Sequence, residues 1–417
     1  MTFKDLQLID PIQRVLKELN YEQPTDIQAK AIPLVLQRKD ILGSAQTGTG
    51  KTAAFSLPII QLIYNKEIKT CKSVELRSLI VTPTRELAIQ IDESISNYGK
   101  YTGIKHAVIF GGVKQHRQVK RLEQGVHILV ATPGRLLDLI GQGYIDLSTV
   151  KLFVLDEADR MLDMGFINDI KKLLKLLPEK KQSLFFSATL PDNILKLSHT
   201  ILNNPSKVTA ARVSSTAETI QQYLYYTNKS SKKALLHHIL KDSSIEQVLI
   251  FSRTKHGADR ICRDLKKSNI NAMAIHGDKA QNQRQKALSS FKEMKIRVLV
   301  ATDIAARGID IDKLRHVINF DVPNESETYV HRIGRSGRAG EDGIAISLCE
   351  PEENAFVRDI EKLIKKKITV IKDHPFPQTD KPMTAAEKKE ANKEKARRKQ
   401  EFFANRKKNK AKASYRR

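Results

Sequence analysis

"DILGSAQTGTGKTAAFSLPIIQLI" (40–63) runs from strand-like residues through a glycine-punctuated turn into an apolar helix pattern. Gly48 and Gly50 leave backbone N–H groups free to point at phosphate oxygens, at the start of a helix whose dipole favours negative charge. Lys51 then reaches the β- and γ-phosphates of a nucleotide, and the Thr52 hydroxyl suits Mg²⁺. The strict phosphate-loop spacing wants a glycine where this chain has Ala45. The loop from Ala45 through Gln46, Thr47, Gly48, Thr49 and Gly50 to Lys51 and Thr52 is therefore expected to cradle a triphosphate. Strand, loop and helix together make one βα unit.

The same rhythm extends in both directions. "SLIVTP" (78–83), "HAVIFGG" (106–112), "VHILVATP" (126–133), "KLFVLDEAD" (151–159) and "SLFFSAT" (183–189) are short apolar runs ending in small or polar residues. Amphipathic segments such as "RELAIQIDESISNYGKY" (85–101) separate them, which predicts a parallel sheet covered by helices on both faces. The polar strand ends then share one edge, where such sheets bind ligands. A Ser/Thr/Ala-rich stretch, "KVTAARVSSTAET" (207–219), interrupts the pattern, and a second series follows: "QVLIFSRT" (247–254), "NAMAIHGD" (271–278), "IRVLVATDIAARGID" (296–310) and "RHVINFDVP" (315–323). "ILVATPGR" and "VLVATDIAARG" share the tetrapeptide LVAT, so two similar sheets in tandem are expected.

The chain's 417 residues suffice for two hydrophobic cores and a tail. Seventy-two Lys and Arg against 47 Asp and Glu give +25, a surplus that favours a polyanionic partner, with nucleic acid foremost. Cys71, Cys262 and Cys349 are too far apart for a CxxC motif, and the start "MTFKDLQLID" has no apolar leader, so a cytoplasmic protein without membrane association is expected. Residues 371–417 hold 16 Lys/Arg and 6 Asp/Glu, and read as a basic, disordered or transiently helical tail.

A nucleotide site needs carboxylates to hold metal and orient water. "LFVLDEAD" supplies Asp156 for Mg²⁺ and Glu157 for the attacking water. In "NYEQPTDIQ" (20–28) the Gln28 amide can both donate to and accept from an adenine edge, and Phe3 can stack on the ring. By spacing alone, a glutamine on a helix and an early phenylalanine are ordinary surface and core.

The ordered set "NYEQPTDIQ", "AQTGTGKT", "PTRELA" (83–88), "GG" (111–112), "TPGR" (132–135), "DEAD" (156–159), "SAT" (187–189), "VLIFSRT", "QNQR" (281–284), "ATDIAARGID" (301–310) and "HRIGRSGR" (331–338) resembles the DEAD-box family of ATP-dependent RNA helicases over residues 1 to about 350. "DEADRMLDMGF" and the compact length look most like its bacterial RhlE subgroup. Asn20, Gln285 and Ser336 depart from the commoner Gly, Glu and Thr, and Gln285 puts in doubt an ion pair within the second domain.

The resemblance implies two tandem RecA-like α/β domains, 1–208 and 218–371, with a linker at 209–217 and the basic tail at 372–417. It implies ATP and Mg²⁺ as cofactors, and RNA as a partner held with little sequence preference. Arg85, Gly112, Thr132 and Arg135 on the first domain and Arg284 and Thr302 on the second would hold RNA phosphates. Asp310 would hold the ATP ribose, and Ser187 and Thr189 would couple hydrolysis to domain closure. On closure Arg335 and Arg338 would reach the γ-phosphate as arginine fingers, and His331 would contact the DEAD acids. The resulting activity is RNA-stimulated ATP hydrolysis driving local, non-processive unwinding by a monomer, in ribosome assembly or RNA decay. A DNA-translocating helicase, or an RNA-annealing scaffold with ATP as a conformational switch, are the rival readings.

Overall fold

The computed structural model describes residues 1–45, 48–66, 74–209, 220–306, 314–337 and 343–382, with residues 387, 394, 397 and 401 beyond them. The first sheet comprises β1 (Ile41–Ser44), β2 (Ser78–Val81), β3 (His106–Ile109), β4 (Ile128–Ala131), β5 (Leu152–Leu155), β6 (Gln182–Ser187) and β7 (Ser206–Thr209). Its strand order is β3-β4-β2-β5-β6-β1-β7, with every pairing parallel. Parallel neighbours need long crossovers, which the helical segments supply, and burial on both faces explains why the strands read as unbroken apolar runs. Within β5 and β6 the side chains alternate: Val154, Leu184 and Phe186 join the core beneath Phe55 and Ile91, while Phe153, Leu155 and Phe185 join the opposite core with Leu136 and Ile170.

The second sheet comprises β8 (Ile220–Tyr226), β9 (Val248–Phe251), β10 (Ala272–Ile275), β11 (Val298–Ala301), β12 (His316–Asn319), β13 (Gly343–Cys349) and β14 (Thr369–Val370). Its order is β10-β11-β9-β12-β13-β8-β14, the first sheet's order shifted by seven. The shared LVAT lies at the ends of β4 and β11, which hold equivalent places, so Thr132 and Thr302 leave their sheets at matching points.

The tail begins later than expected. Residues 374–380 lie on the second sheet's core: Phe376 packs against it, His374 meets the Tyr225 ring edge-on at 5.3 Å, and the Asn228 side-chain oxygen Oδ1 accepts from the Thr379 and Asp380 N–H groups, both at 2.9 Å. One apolar ring between Pro375 and Pro377 is enough to dock this irregular segment, and so isolated a residue leaves no periodicity to read. Of the expected linker, Thr209 closes β7 and the remainder lies outside the described residues, as does almost all of the chain after 382.

Candidate nucleotide and RNA site

Because all strands of the first sheet run the same way, the residues following them meet along one edge. β1 leads into the phosphate loop, β5 into Asp156 and Glu157, and β6 ends at Ser187, in register with Ser44. A cleft of about 560 Å³ opens there, lined by Gly48, Gly50, Lys51 and Thr52, by Tyr21 and Gln28, and by Asp156 and Glu157. Lys51 is buried; its Nζ donates to the Ala45 carbonyl at 2.9 Å and lies 3.9 Å from Asp156 Oδ1. Burial pushes the Asp156 carboxyl up to about 6, with the Lys51 charge pulling the other way.

Glu157 caps the helix Ala158–Asp163 from the left-handed region, at φ 55°, and its carboxylate accepts from Arg160 Nη1 at 2.6 Å. Asp159 accepts from both the N–H and the hydroxyl of Thr189 at 3.0 Å, while Ser187 Oγ accepts from the Asp159 N–H and donates to the Thr189 carbonyl. The DEAD and SAT segments are thus joined by hydrogen bonds from both sides.

The Thr52 hydroxyl and the buried Asp156 carboxylate are hard oxygen donors on one cleft. Among the described residues no cluster of three or more acidic, His or Cys side chains forms a self-contained metal cage. That set suits Mg²⁺, which keeps several waters and takes few protein oxygens beside nucleotide phosphates.

The two expected adenine readers are placed differently. Phe3 is a core residue, 3% exposed, with its ring 6.3 Å from that of Tyr21 and nearly parallel to it. Tyr21, 42% exposed, borders the cleft together with the buried Tyr98, and Phe3 packs against Tyr21 from behind. Gln28 lines the cleft, but its carbonyl accepts from the Thr25 N–H at 2.9 Å and its amide donates to the Gly50 carbonyl at 3.1 Å. A helix start at Asp26 favours such a capping box, so Gln28 ties that helix to the phosphate loop with one hydrogen and one lone pair left for a base.

A second cleft, about 510 Å³, is walled by both halves of the chain: Arg85, Thr132 and Arg135 on one side, Gly277 and Arg284 on the other. Gly112, at φ 79°, lies so close beneath the Arg85 guanidinium that an added Cβ would come within 2.3 Å of Nη1. Arg135 lines the same cleft, and its Nη2 donates to the Val113 carbonyl at 3.1 Å. Burial first, and then the neighbouring Arg284, lower the Arg85 guanidinium from its ordinary value, with Glu86 pulling the other way. Counter-charge comes from Asp138, 3.4 Å from Arg135 Nε, and from Glu86, which accepts from Arg284 at 3.0 Å and from the Gln281 amide at 3.1 Å, linking the halves. Thr302 stands at the end of β11, its N–H 3.4 Å from the Ile275 carbonyl, without lining this cleft.

Arg335 and His331 do not border the nucleotide cleft in this arrangement. They share a small gap with Arg160 and Asp303, and Arg335 Nε donates to the His331 carbonyl at 3.3 Å. The helix Gln281–Lys292, anchored on Glu86 at its start, brings Lys292 to the nucleotide cleft instead. Arg332 braces the second sheet, pairing with Asp303 at 2.6 Å and donating to the Asn319 side chain. Arg338, Asp310, Gln46 and Thr47 lie outside the described residues. Sequence reasoning passed over Tyr21, Glu86 and Arg160, although each lies within or beside one of the motifs. Their only signal was a charged or aromatic side chain among neighbours that already had roles.

Comparison with known proteins agrees with this geometry. The DEAD/DEAH box helicase profile matches residues 25–197 and the helicase conserved C-terminal domain matches residues 231–340. DEAD-box ATP-dependent RNA helicase CshA of Geobacillus kaustophilus is 42% identical over 371 residues, 89% of this chain and 78% of that protein. The chain belongs to the DEAD-box family of ATP-dependent RNA helicases. CshA of Bacillus subtilis is likewise 42% identical, over 89% of this DEAD-box chain and 74% of its relative. Among solved DEAD-box structures, Saccharomyces cerevisiae Dbp5 bound to RNA and ADP BeF3 matches with TM-score 0.78 and 31% identity, covering 89% of this chain and 95% of that one. Mss116p bound to single-stranded RNA and AMP-PNP matches with TM-score 0.80 and 28% identity, over 90% and 80%. The two parallel-sheet domains therefore have the RecA-like helicase fold.

Proposed function

We propose that this helicase performs local, non-processive remodelling of RNA, driven by hydrolysis of one ATP shared between two domains, about 1–208 and 218–371. The observation that carries it is the arginine-rich cleft walled by both halves, beside a phosphate loop on the first half alone. RNA phosphates entering that cleft engage Arg85, Thr132 and Arg135 on one wall and Arg284 on the other, with Gly112 and Thr302 close by. The contacts are to backbone, so sequence preference is weak. RNA must compete with Glu86 for Arg284, which makes closure responsive to the ligand.

On the nucleotide side, Lys51 exchanges the Ala45 carbonyl for phosphate oxygens, and Tyr21 and Gln28 meet the adenine. Glu157, positioned by Arg160, orients and deprotonates the attacking water. Bound Mg²⁺, held by Thr52 and Asp156, supplies charge neutralisation at the phosphates. Closure carries Arg335 and Arg338 to the γ-phosphate, Asp310 to the ribose and His331 to the DEAD segment, while Ser187 and Thr189 transmit the change through Asp159. We place the protein in the cytoplasm as a monomer acting on ribosomal precursor RNA or in RNA decay. The RhlE placement rests on "DEADRMLDMGF" and short length alone; the relatives named above are CshA helicases and lend it no support.

The test is ATP turnover with single-stranded RNA against single-stranded DNA of the same sequence, alongside separation of a short RNA duplex. Stimulation by RNA alone, with separation that requires ATP, is expected. Equal stimulation by DNA would favour a DNA helicase, and strand rearrangement at equal rate without ATP would favour an annealing protein.

A further inference from the structure

At the opposite edge of the first sheet, where β5 and β6 begin, lies a concavity of about 380 Å³ that neither described cleft includes. Its floor is apolar: Leu62 and Ile63 at the end of the helix Lys51–Ile63, and Leu152 at the start of β5. Arg38, Lys66, Lys151, Lys180 and Lys181 surround that floor, and among the described residues no Asp or Glu lines it. A sixth cation, Arg77, is matched by Glu75 at 2.6 Å. Among the described residues none of the other five has an ion-pair partner, and Lys181 donates only to the Pro178 carbonyl.

Five uncompensated cations around one small floor repel one another, whereas an ordinary solvated face mixes both signs. Arg38 occupies the left-handed position just after the helix Asp26–Leu36, at φ 63°, a place glycine fills at lower cost. Desolvation lowers its guanidinium from the ordinary value and no carboxylate offsets it.

We propose that this concavity binds a phosphorylated nucleotide, with phosphates on Arg38, Lys151, Lys180 and Lys181 and the base on Leu62, Ile63 and Leu152. Inorganic phosphate would leave the apolar floor wet, and an acidic peptide brings single charges without a flat ring to cover it. The volume falls within the small-molecule range of roughly 300–1,000 Å³. The same chemistry is offered by a free nucleoside polyphosphate and by the triphosphorylated 5′ end of an RNA. β1, β5 and β6 separate this edge from Ala45, Asp156 and Ser187 by four to six residues, on the order of 13–20 Å. A ligand here would therefore coexist with ATP on the same rigid strands.

The experiment uses the full chain with its nucleotide cleft saturated by ADP and its RNA cleft by a 5′-hydroxyl RNA decamer. GTP and a 5′-triphosphorylated decamer are titrated separately, into wild type, a Lys151→Glu/Lys180→Glu variant and a Lys51→Ala variant. Both exchanged lysines are exposed, and a melting curve checks that the variant folds. One additional site is expected, weakened about tenfold or more by the double charge reversal and retained in Lys51→Ala. Binding of GTP alone identifies a free nucleotide as the source; binding of the triphosphorylated decamer alone identifies an RNA end; binding of both shows that the cleft reads the shared chemistry. No additional site for either probe, equal affinity in the charge-reversed variant, or loss of the site in Lys51→Ala would overturn the proposal.

Discussion

Glu157 sits where backbone strain and burial converge: a left-handed residue, 2% exposed, with its carboxylate on Arg160. Replacing it by glutamine keeps its shape and removes the base, so Glu157→Gln is expected to bind ATP and RNA normally while turnover falls by about 10² to 10⁴. Steady-state ATPase and equilibrium binding on the same preparation separate the two effects. Gly112→Ala is expected to weaken RNA binding on the order of ten- to a hundredfold, because its methyl group would occupy the Arg85 guanidinium's place. ATP affinity, measured without RNA, should not move. At this scale the sequence located cleft-lining residues where the backbone dictates their position, as at Lys51 and Asp156. It expected Phe3 at the base, whereas Phe3 is buried, since burial is decided by tertiary packing, and Tyr21 and Tyr98 are rings that line the cleft.

Elements were legible wherever a parallel sheet demands unbroken apolar runs, and β2, β4, β5, β9 and β11 coincide with such runs in the sequence. The docked segment around Phe376 was not, because a single ring carries no period. Also invisible was a buried charge network joining the helix Lys232–Ile239 to the turns after β12 and β13. Lys232 Nζ lies 2.7 Å from Glu353 and donates to the Phe320 carbonyl at 2.9 Å, with Glu350 at 3.9 Å and Arg253 also on Glu353. Burial pushes the Glu353 carboxyl above its ordinary value, so the cation is what keeps it tolerable. Lys232→Met leaves these acids without that cation and is expected to destabilise the second domain by about 3–5 kcal/mol, read by urea unfolding. An unchanged midpoint would mean that Arg253 suffices.

At the scale of the molecule, two sheets of identical strand order share a single described phosphate loop, which belongs to the first. Tandem sheets were legible from repeated strand–helix rhythm; how the halves meet was not, because Glu86 is far in sequence from Gln281 and Arg284 and adjacent to them only in the fold. Since residues 374–380 dock on the second sheet, removal of the basic tail should begin after them. Deleting 383–417 is expected to leave both domains folded and to weaken RNA binding irrespective of sequence. The log–log salt slope for single strands should flatten by about 0.7 for each phosphate that the tail no longer neutralises. Unchanged affinity and slope would remove the tail from RNA binding.

Whether one ATP is bound by the first half and completed by the second is decided at Arg335. Arg335→Lys tests it most directly, through single-turnover ATP hydrolysis with saturating RNA and ATP affinity measured alongside. Lysine keeps the charge but lacks the planar fork that bonds two phosphate oxygens. A folded variant with normal ATP and RNA affinity and hydrolysis slowed by about 10³ or more is the result expected of an arginine finger. A folded variant that hydrolyses ATP at the wild-type rate in the presence of RNA would contradict the claim and return Arg335 to a bracing role within the second domain.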